Sequence, residues 1–406
     1  MNKNRSFLFL LLGQSLVNIG DVLYIVALIS ALYTLTESAA VSAFVPFTVT
    51  FAMFISSILT PLIIGRVNLK AILLWSQIGK TLLLLSLGFF MITSLNLSNY
   101  YITFLIIGGI ALLDGCANPV RQALIPYYVK EENLIQANGL AETITQSIQI
   151  GTWFFGSLLL LVINPNHLIW IVVSLFAIAS CILIFLKKVK HQTERQENNW
   201  DLLTQGWRTI RHTPVLKTLV QMEFFETIAG AVWIAAVMYV FVDKALRAGE
   251  QWWGFLNGSF FIGLVIGSIV CVRFPQYVDK NRNVFIVAGA SMACILTVIF
   301  SMTSNAVFAL MLSALIGFFG QLKNIPQQTV IQTSVPNEHL ATVYTSIGTV
   351  STGVFGFASL FMGVLSDFLG VRSVYFLSGI LLLIVSVLAF KDKKLFMKNE
   401  KMQHSA

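Results

Sequence analysis

Apolar runs of about 20 residues recur along this chain from one end to the other, separated by short polar punctuation. Twelve can be marked, at 7–33, 41–64, 71–94, 100–124, 138–163, 167–186, 217–242, 252–272, 284–303, 306–332, 341–365 and 372–390. As helices rising about 1.5 Å per residue, runs of this length cross a hydrocarbon core of about 30 Å. The pattern changes between Lys187 and Pro214, and that stretch divides the runs six and six. Within it Trp200, Leu203, Trp207 and Ile210 recur at helical spacing with charged residues between them. That spacing predicts a short amphipathic helix over 200–213, lying on the inner membrane surface, whereas 187–199 reads as a solvated linker.

Composition agrees with the pattern. Of 406 residues 56% are hydrophobic and only 11% charged, with a mean hydropathy of +0.80. Soluble domains carry roughly 25% charged residues, so the chain reads as an all-α integral membrane protein. Cys116, Cys181, Cys271 and Cys294 all fall inside apolar runs, without a second cysteine or histidine at metal-ligand spacing. The opening MNKNR followed by an apolar run imitates a signal peptide, but the run is too long and lacks a cleavage site, so it reads as the first span.

The formal charge of +8 is spread over short loops, which argues against a nucleic-acid partner. Its distribution sets an orientation. With the N-terminus inside, the cytoplasmic loops carry Lys3, Arg5, Arg66, Lys70, Arg121, Lys130, the cluster from Lys187 to Lys217, Arg273, Lys280, Arg282 and the terminal KDKK run. The other side carries Lys244, Arg247 and Arg372. Both termini are therefore expected in the cytoplasm, with a tail at 391–406.

The two halves, 1–186 and 217–390 around a loop at 187–216, echo each other. Val129, Glu132 and Leu134 recur 206 residues later as Val335, Glu338 and Leu340, and Asn118-Pro119 as Asn324-Ile325-Pro326 with a one-residue slip. Such repeats suit transporters whose halves rock about a midplane site. Twelve spans in two sixes, the long central loop and these loop segments resemble the major facilitator superfamily. NPVRQALIPYYVKEENLIQANGLAETITQ, and LKTLV at the start of the seventh span, resemble its drug:proton antiporter branch, which includes macrolide-efflux-type proteins. The resemblance implies the major facilitator fold, twelve helices in two pseudo-symmetric halves.

Two departures stand out. The family's loop between spans two and three reads roughly Gly-x-x-x-Asp-Arg-x-Gly-Arg-Arg/Lys, whereas Pro61-Leu-Ile-Ile-Gly65-Arg66-Val-Asn-Leu-Lys70 keeps Arg66 and Lys70 and has Gly65 for the aspartate. A fuller copy, from Gly363 through Asp367 to Arg372, lies between the last two spans. The antiporter glycine–proline motif of span five is reduced to Gly151 and Gly156.

Ionisable residues inside the runs point to chemistry. Asp21, Lys80, Asp114, Glu223, Glu226 and Lys323 would together cost about 15–20 kcal/mol if all faced lipid, so they must face water or one another. Asp21, Asp114, Glu223, Glu226 and Lys323 fall on spans 1, 4, 7 and 10, which the resemblance implies line the central cavity; Lys80, on span 3, is expected at the periphery as a structural pair or snorkelling to the surface. Each acid leaves two readings open, a static polar pair or a proton-coupling group. Glu223 and Glu226 are three apart and can share a proton. Asp114 and Lys323 occupy nearly equivalent places in the repeat and are candidates for a bridge that breaks and forms. Arg66, Lys70 and Glu142, at or near cytoplasmic ends, are gating candidates, and the resemblance makes Arg121 a proton-relay or gate candidate, with a plain positive-inside anchor as the alternative.

No GxxxxGK[ST], HExxH, Ser–His–Asp grouping or CxxC occurs, which excludes ATP-driven transport and the common hydrolytic and redox chemistries. The expectation is a non-enzymatic proton-coupled exporter of small amphiphilic compounds in the plasma membrane. A proton gradient serves in place of a cofactor; lipid, substrate and protons are the partners, and the protein acts as a monomer. Export of one metabolite, such as a siderophore, is the alternative on the same fold, and a transport-inactive receptor the remote one.

Overall fold

The computed structural model describes residues 4–162, 164–189, 198–233 and 235–398, and all regular structure in them is helical. Residues 190–197 of the linker expected at 187–199, and residues 399–406 of the tail expected at 391–406, lie outside the described residues. The apolar runs coincide with helices: α1 (Arg5–Thr36), α2 (Ala39–Ile64), α3 (Leu69–Thr93), α4 (Tyr101–Tyr128), α5 (Leu134–Val162) and α6 (Pro165–Ile184). The surface helix α7 (Asn199–His212) follows, then α8 (Pro214–Gly230), α9 (Ala235–Val240), α10 (Gln251–Arg273), α11 (Pro275–Lys280), α12 (Arg282–Met302), α13 (Ala306–Ser334), α14 (Asn337–Leu369) and α15 (Val371–Lys391). Among the described residues ten of these helices are long and apolar enough to cross a membrane, or eleven if one bent pair counts as a single span.

Local chemistry fixes where helices begin. Asn4, Ser38, Asn68 and Asn305 accept the backbone N–H of Ser6, Val41, Lys70 and Phe308, so α1, α2, α3 and α13 each start on a side-chain cap. Between α14 and α15 the chain turns at Gly370, where φ is 81°, a conformation that a side chain would strain.

The expected continuous seventh span is interrupted. Pro214–Trp233 and Val237–Ala245 meet at 53°, after a 3-10 turn over Ala231–Trp233. The break frees carbonyls that a bilayer cannot solvate, and α15 satisfies them. Ser378 Oγ donates to Ala229 O at 2.8 Å, and Tyr375 Oη donates to Val232 O at 3.0 Å. Trp233 packs edge-on to Tyr375, and Phe300 fills the same cluster.

The chain packs as two compact units. The first comprises Met1–Val129, Ser147–Trp207 and Asn337–Thr352; the second comprises Lys130–Gln146, Arg208–Pro336 and Gly353–Ala406. Each unit thus contains one segment from the other half of the sequence. These segments are counterparts at the 206-residue offset of the repeat. In the second unit, the start of α5 zips onto α13: Asn138 Nδ2 donates to Gln332 Oε1 at 2.7 Å and Thr329 Oγ1 at 3.0 Å, and Gln332 Nε2 returns a bond to Asn138 Oδ1. In the first, α14 contributes Thr349, whose hydroxyl donates to Ser57 Oγ at 3.0 Å.

The amphipathic helix is present as α7, with its faces turned from the expected arrangement. Leu202, Gly206 and Ile210 are the buried positions, four apart, whereas Trp200 and Trp207 are exposed. Ile210 was expected to share the membrane face with the tryptophans. Gly206 seats α7 against α14: a Cβ there would lie 2.3 Å from Thr342 O and from Ser346 Oγ.

Candidate charged sites

α1, α3 and α4 converge in the first unit on a buried charge network. Lys80 Nζ donates to Asp21 Oδ1 at 2.9 Å and to Asp114 Oδ1 at 2.8 Å. Lys80 is wholly buried, while the Asp21 and Asp114 side chains keep 24% and 14% of their accessible surface. Asn118 Nδ2, one turn beyond Asp114, donates to its second oxygen at 3.4 Å. The Phe176 ring lies 4.8 Å from the ammonium, at a distance suited to cation–π attraction. Gly20 makes room for that ring; a Cβ there would lie 2.3 Å from Phe176 Cε1.

Lys80 is therefore the centre of the site rather than a peripheral residue. Its four-carbon stem carries the ammonium between two carboxylates on other helices. The sequence did hold a signal: Ser76, Gln77 and Lys80 form a buried polar stripe on α3. Two carboxylates thus share one ammonium. The group can therefore take up a proton and still keep the lysine paired.

The second unit holds a separate pair, Lys323 of α13 with Glu226 of α8. Gly289 of α12 lies under Lys323, with 2.7 Å between an added Cβ and the Lys323 Cβ. Asp114 and Lys323 each pair within their own unit, with Lys80 and with Glu226. Glu223 lies one turn before Glu226 on α8 and is half-buried. Arg121 is two turns beyond Asp114 on α4.

Glu142 belongs to the second unit and is collared by amides. Its Oε2 accepts from Gln146 Nε2 at 3.2 Å and Gln321 Nε2 at 3.4 Å, and its Oε1 accepts from Gln328 Nε2 at 3.3 Å. Glu142→Gln would turn an amide N–H₂ toward these donors. It is expected to cost about 1.5–3 kcal/mol, the worth of hydrogen bonds to a charged group. Thermal unfolding in detergent reads this, and an unchanged midpoint would show that the collar adds nothing to stability.

Arg66 and Lys70 take neutral acceptors: Arg66 donates to Asn199 Oδ1, and Lys70 Nζ to Ile184 O at 2.7 Å. One cluster went unnoticed in the sequence. In the second unit, Asp279 Oδ1 accepts from Arg282 Nε at 2.8 Å, and Asp279 Oδ2 accepts from Lys398 Nζ at 2.6 Å, with Asp279 and Arg282 both buried. The acid between the α10 and α12 runs was its signal, but the ordered tail that delivers Lys398 has no mark in the pattern. Among the described residues no three His, Cys, Asp or Glu side chains are grouped to hold a metal ion.

The Major Facilitator Superfamily profile matches residues 10–358. Two Bacillus subtilis (strain 168) proteins described as uncharacterized MFS-type transporters are similar along their whole lengths. YfmI is 29% identical over 393 residues, covering 96% of this chain and 97% of its own. YjbB is 22% identical over 392 residues, covering 97% and 96%. Among solved structures, the human organic anion transporter MFSD10 (TETRAN) gives a TM-score of 0.76 at 11% identity, covering 96% of this chain and 100% of that one. A bacterial homologue of the iron transporter ferroportin, in an outward-facing state, gives 0.76 at 13%, covering 95% and 98%. FucP in the outward conformation gives 0.75 at 15%, covering 97% and 99%. At these identities the likeness to the solved structures concerns the fold alone.

Proposed function

This chain belongs to the Major Facilitator Superfamily and is a multi-pass membrane transporter, and from that premise we propose that it exports small amphiphilic compounds in exchange for protons. The observation that carries the reading is Lys80 held between Asp21 and Asp114, a buried group in which two carboxylates share one ammonium. A proton arriving at Asp21, the more accessible acid, removes its charge and leaves Lys80 paired with Asp114. Loss of that proton restores the double bridge, which ties α1 to α3 again. The two protonation states thus favour different restraints on α1, and a transporter that alternates between states needs such a difference. Energy is drawn from the gradient, at about 2.3 kcal/mol per charge per 100 mV. In this reading the protein sits in the plasma membrane as a monomer, with both termini in the cytoplasm and no bound cofactor.

Substrate-driven proton flux in proteoliposomes tests it. Asp21→Asn is expected to lower coupled flux by about tenfold or more while downhill substrate movement continues, the pattern of a lost coupling step rather than lost binding. If Asp21→Asn and Glu226→Gln both transport like the parent across a pH range spanning neutrality, the coupling assignment fails. A drug panel set against metabolite analysis of the medium of a deletion strain separates broad efflux from export of a single metabolite.

A further inference from the structure

The turn between α2 and α3 keeps the two cations of the family's loop pattern and lacks its acid. The structure gives the glycine in the acid's place a use. A Cβ at Gly65 would lie 2.5 Å from Leu202 Cδ2, so the notch that an aspartate would fill receives Leu202 of α7 instead. Docked there, α7 presents Asn199 to Arg66, while Asn68 Nδ2 holds Val189 O at 2.7 Å. Neither Arg66 nor Lys70 is paired with a carboxylate among the described residues.

Two more cations lie at the same end of the first unit. Lys70 Nζ reaches the last carbonyl of α6, and Lys187 and Lys188 follow that helix end, both exposed. Their backbone is pinned: Tyr128 Oη donates to Lys187 O at 2.9 Å, and the Lys187 N–H donates to Ser6 Oγ at 3.2 Å. Trp200, in the first turn of α7 and next to the Asn199 that meets Arg66, is 69% exposed. Among the described residues, four cations without acidic partners thus stand at or just beyond the ends of α2, α3 and α6, and the exposed indole next to Asn199 is of a kind that settles among lipid headgroups.

We propose that Arg66, Lys70, Lys187, Lys188 and Trp200 form a binding site for the headgroup of an anionic phospholipid. The phosphate meets the four cations, and Trp200 lies against the glycerol backbone. The loop that the family pattern assigns to a charge network within the protein has here become, through Gly65 and α7, a contact with the bilayer. A lipid held there clamps α7 onto the α2–α3 turn.

Reconstitution in nanodiscs of equal phosphatidylglycerol and phosphatidylcholine, followed by native mass spectrometry of the retained lipid, tests this. Both leaflets have the same composition, so the result is independent of orientation and of the transported solute. The parent is expected to retain phosphatidylglycerol in preference. Each of Arg66→Gln, Lys70→Gln, Lys187→Gln and Lys188→Gln is expected to lower that preference about fivefold, equivalent to about 1 kcal/mol per charge. The Lys70→Arg/Lys187→Arg/Lys188→Arg variant keeps the preference. Brominated phosphatidylglycerol quenches the parent's fluorescence more than brominated phosphatidylcholine, and Trp200→Phe removes that difference. Equal retention of both lipids by the parent overturns the proposal, as does an undiminished preference in Lys187→Gln/Lys188→Gln, whose exposed side chains can be lost without disturbing the fold. Displacement of the retained lipid by inorganic phosphate would also overturn it, by showing a site for the free anion.

Discussion

Lys80→Met is expected to cost about 3–5 kcal/mol of stability and to abolish coupled transport, because it leaves two buried carboxylates without their shared cation. Asp21 and Asp114 both bond the same ammonium. Methionine fills the stem's volume, so the loss is electrostatic rather than a cavity. The companion variants separate charge from shape. Asp21→Asn/Lys80→Met/Asp114→Asn removes every charge in the network and should recover most of the lost stability, since a neutral replacement of a buried ionic group is often close to neutral in free energy. It should still fail to couple protons. Thermal unfolding of detergent-purified protein, read together with proteoliposome flux, gives both quantities. A Lys80→Met protein that melts with the parent would mean that water, not lysine, balances these acids.

The second large effect is expected where α10 and α13 meet. Their backbones approach through paired glycines: a Cβ at Gly263 would lie 1.9 Å from Ala314 O, and one at Gly317 would lie 2.2 Å from Phe260 O. Gly267 repeats the contact one turn on, 2.7 Å from Phe318 O. Ser313 Oγ donates across the same interface to Leu256 O at 2.9 Å. Lipid tails are as apolar as leucine, so helices in a membrane associate by such close packing and by hydrogen bonds rather than by the hydrophobic effect. The obstructing atoms are backbone, which cannot rotate aside. Gly263→Ala should therefore cost about 1–3 kcal/mol, and Gly263→Leu should prevent assembly of the second unit. Gly320→Ala on α13 is the control: nothing lies within 4 Å of a Cβ there, and alanine is the better helix former. Equal melting temperatures for Gly263→Ala and Gly320→Ala would refute the interlock.

How much of this was legible beforehand varies from residue to residue. The apolar runs and the amphipathic character of 200–213 were plain, because a bilayer demands continuous apolar helices and an interface demands two-sided ones. Lys80 was misplaced because span number says which helix a residue is on but not which way that helix is turned. The partners that Asp114 and Lys323 find within their own units, Lys80 and Glu226, were not read, because symmetry between the halves does not measure reach. Asp279 and Lys398 were missed because a tail residue more than a hundred positions away supplies the charge. The loop acid absent at Gly65 was noticed, but its meaning depended on Leu202, which only folding brings to that turn.

The sequence by itself determined the class of molecule, the succession of its helices and the set of ionisable residues that oil would not tolerate, since each follows from transfer free energies that act residue by residue. It also carried the repeat. Only the tertiary structure decided which charges pair, where span seven breaks and which segments the two units exchange. Those outcomes depend on helix rotation and on distances between positions far apart in the chain, and a one-dimensional pattern does not encode them.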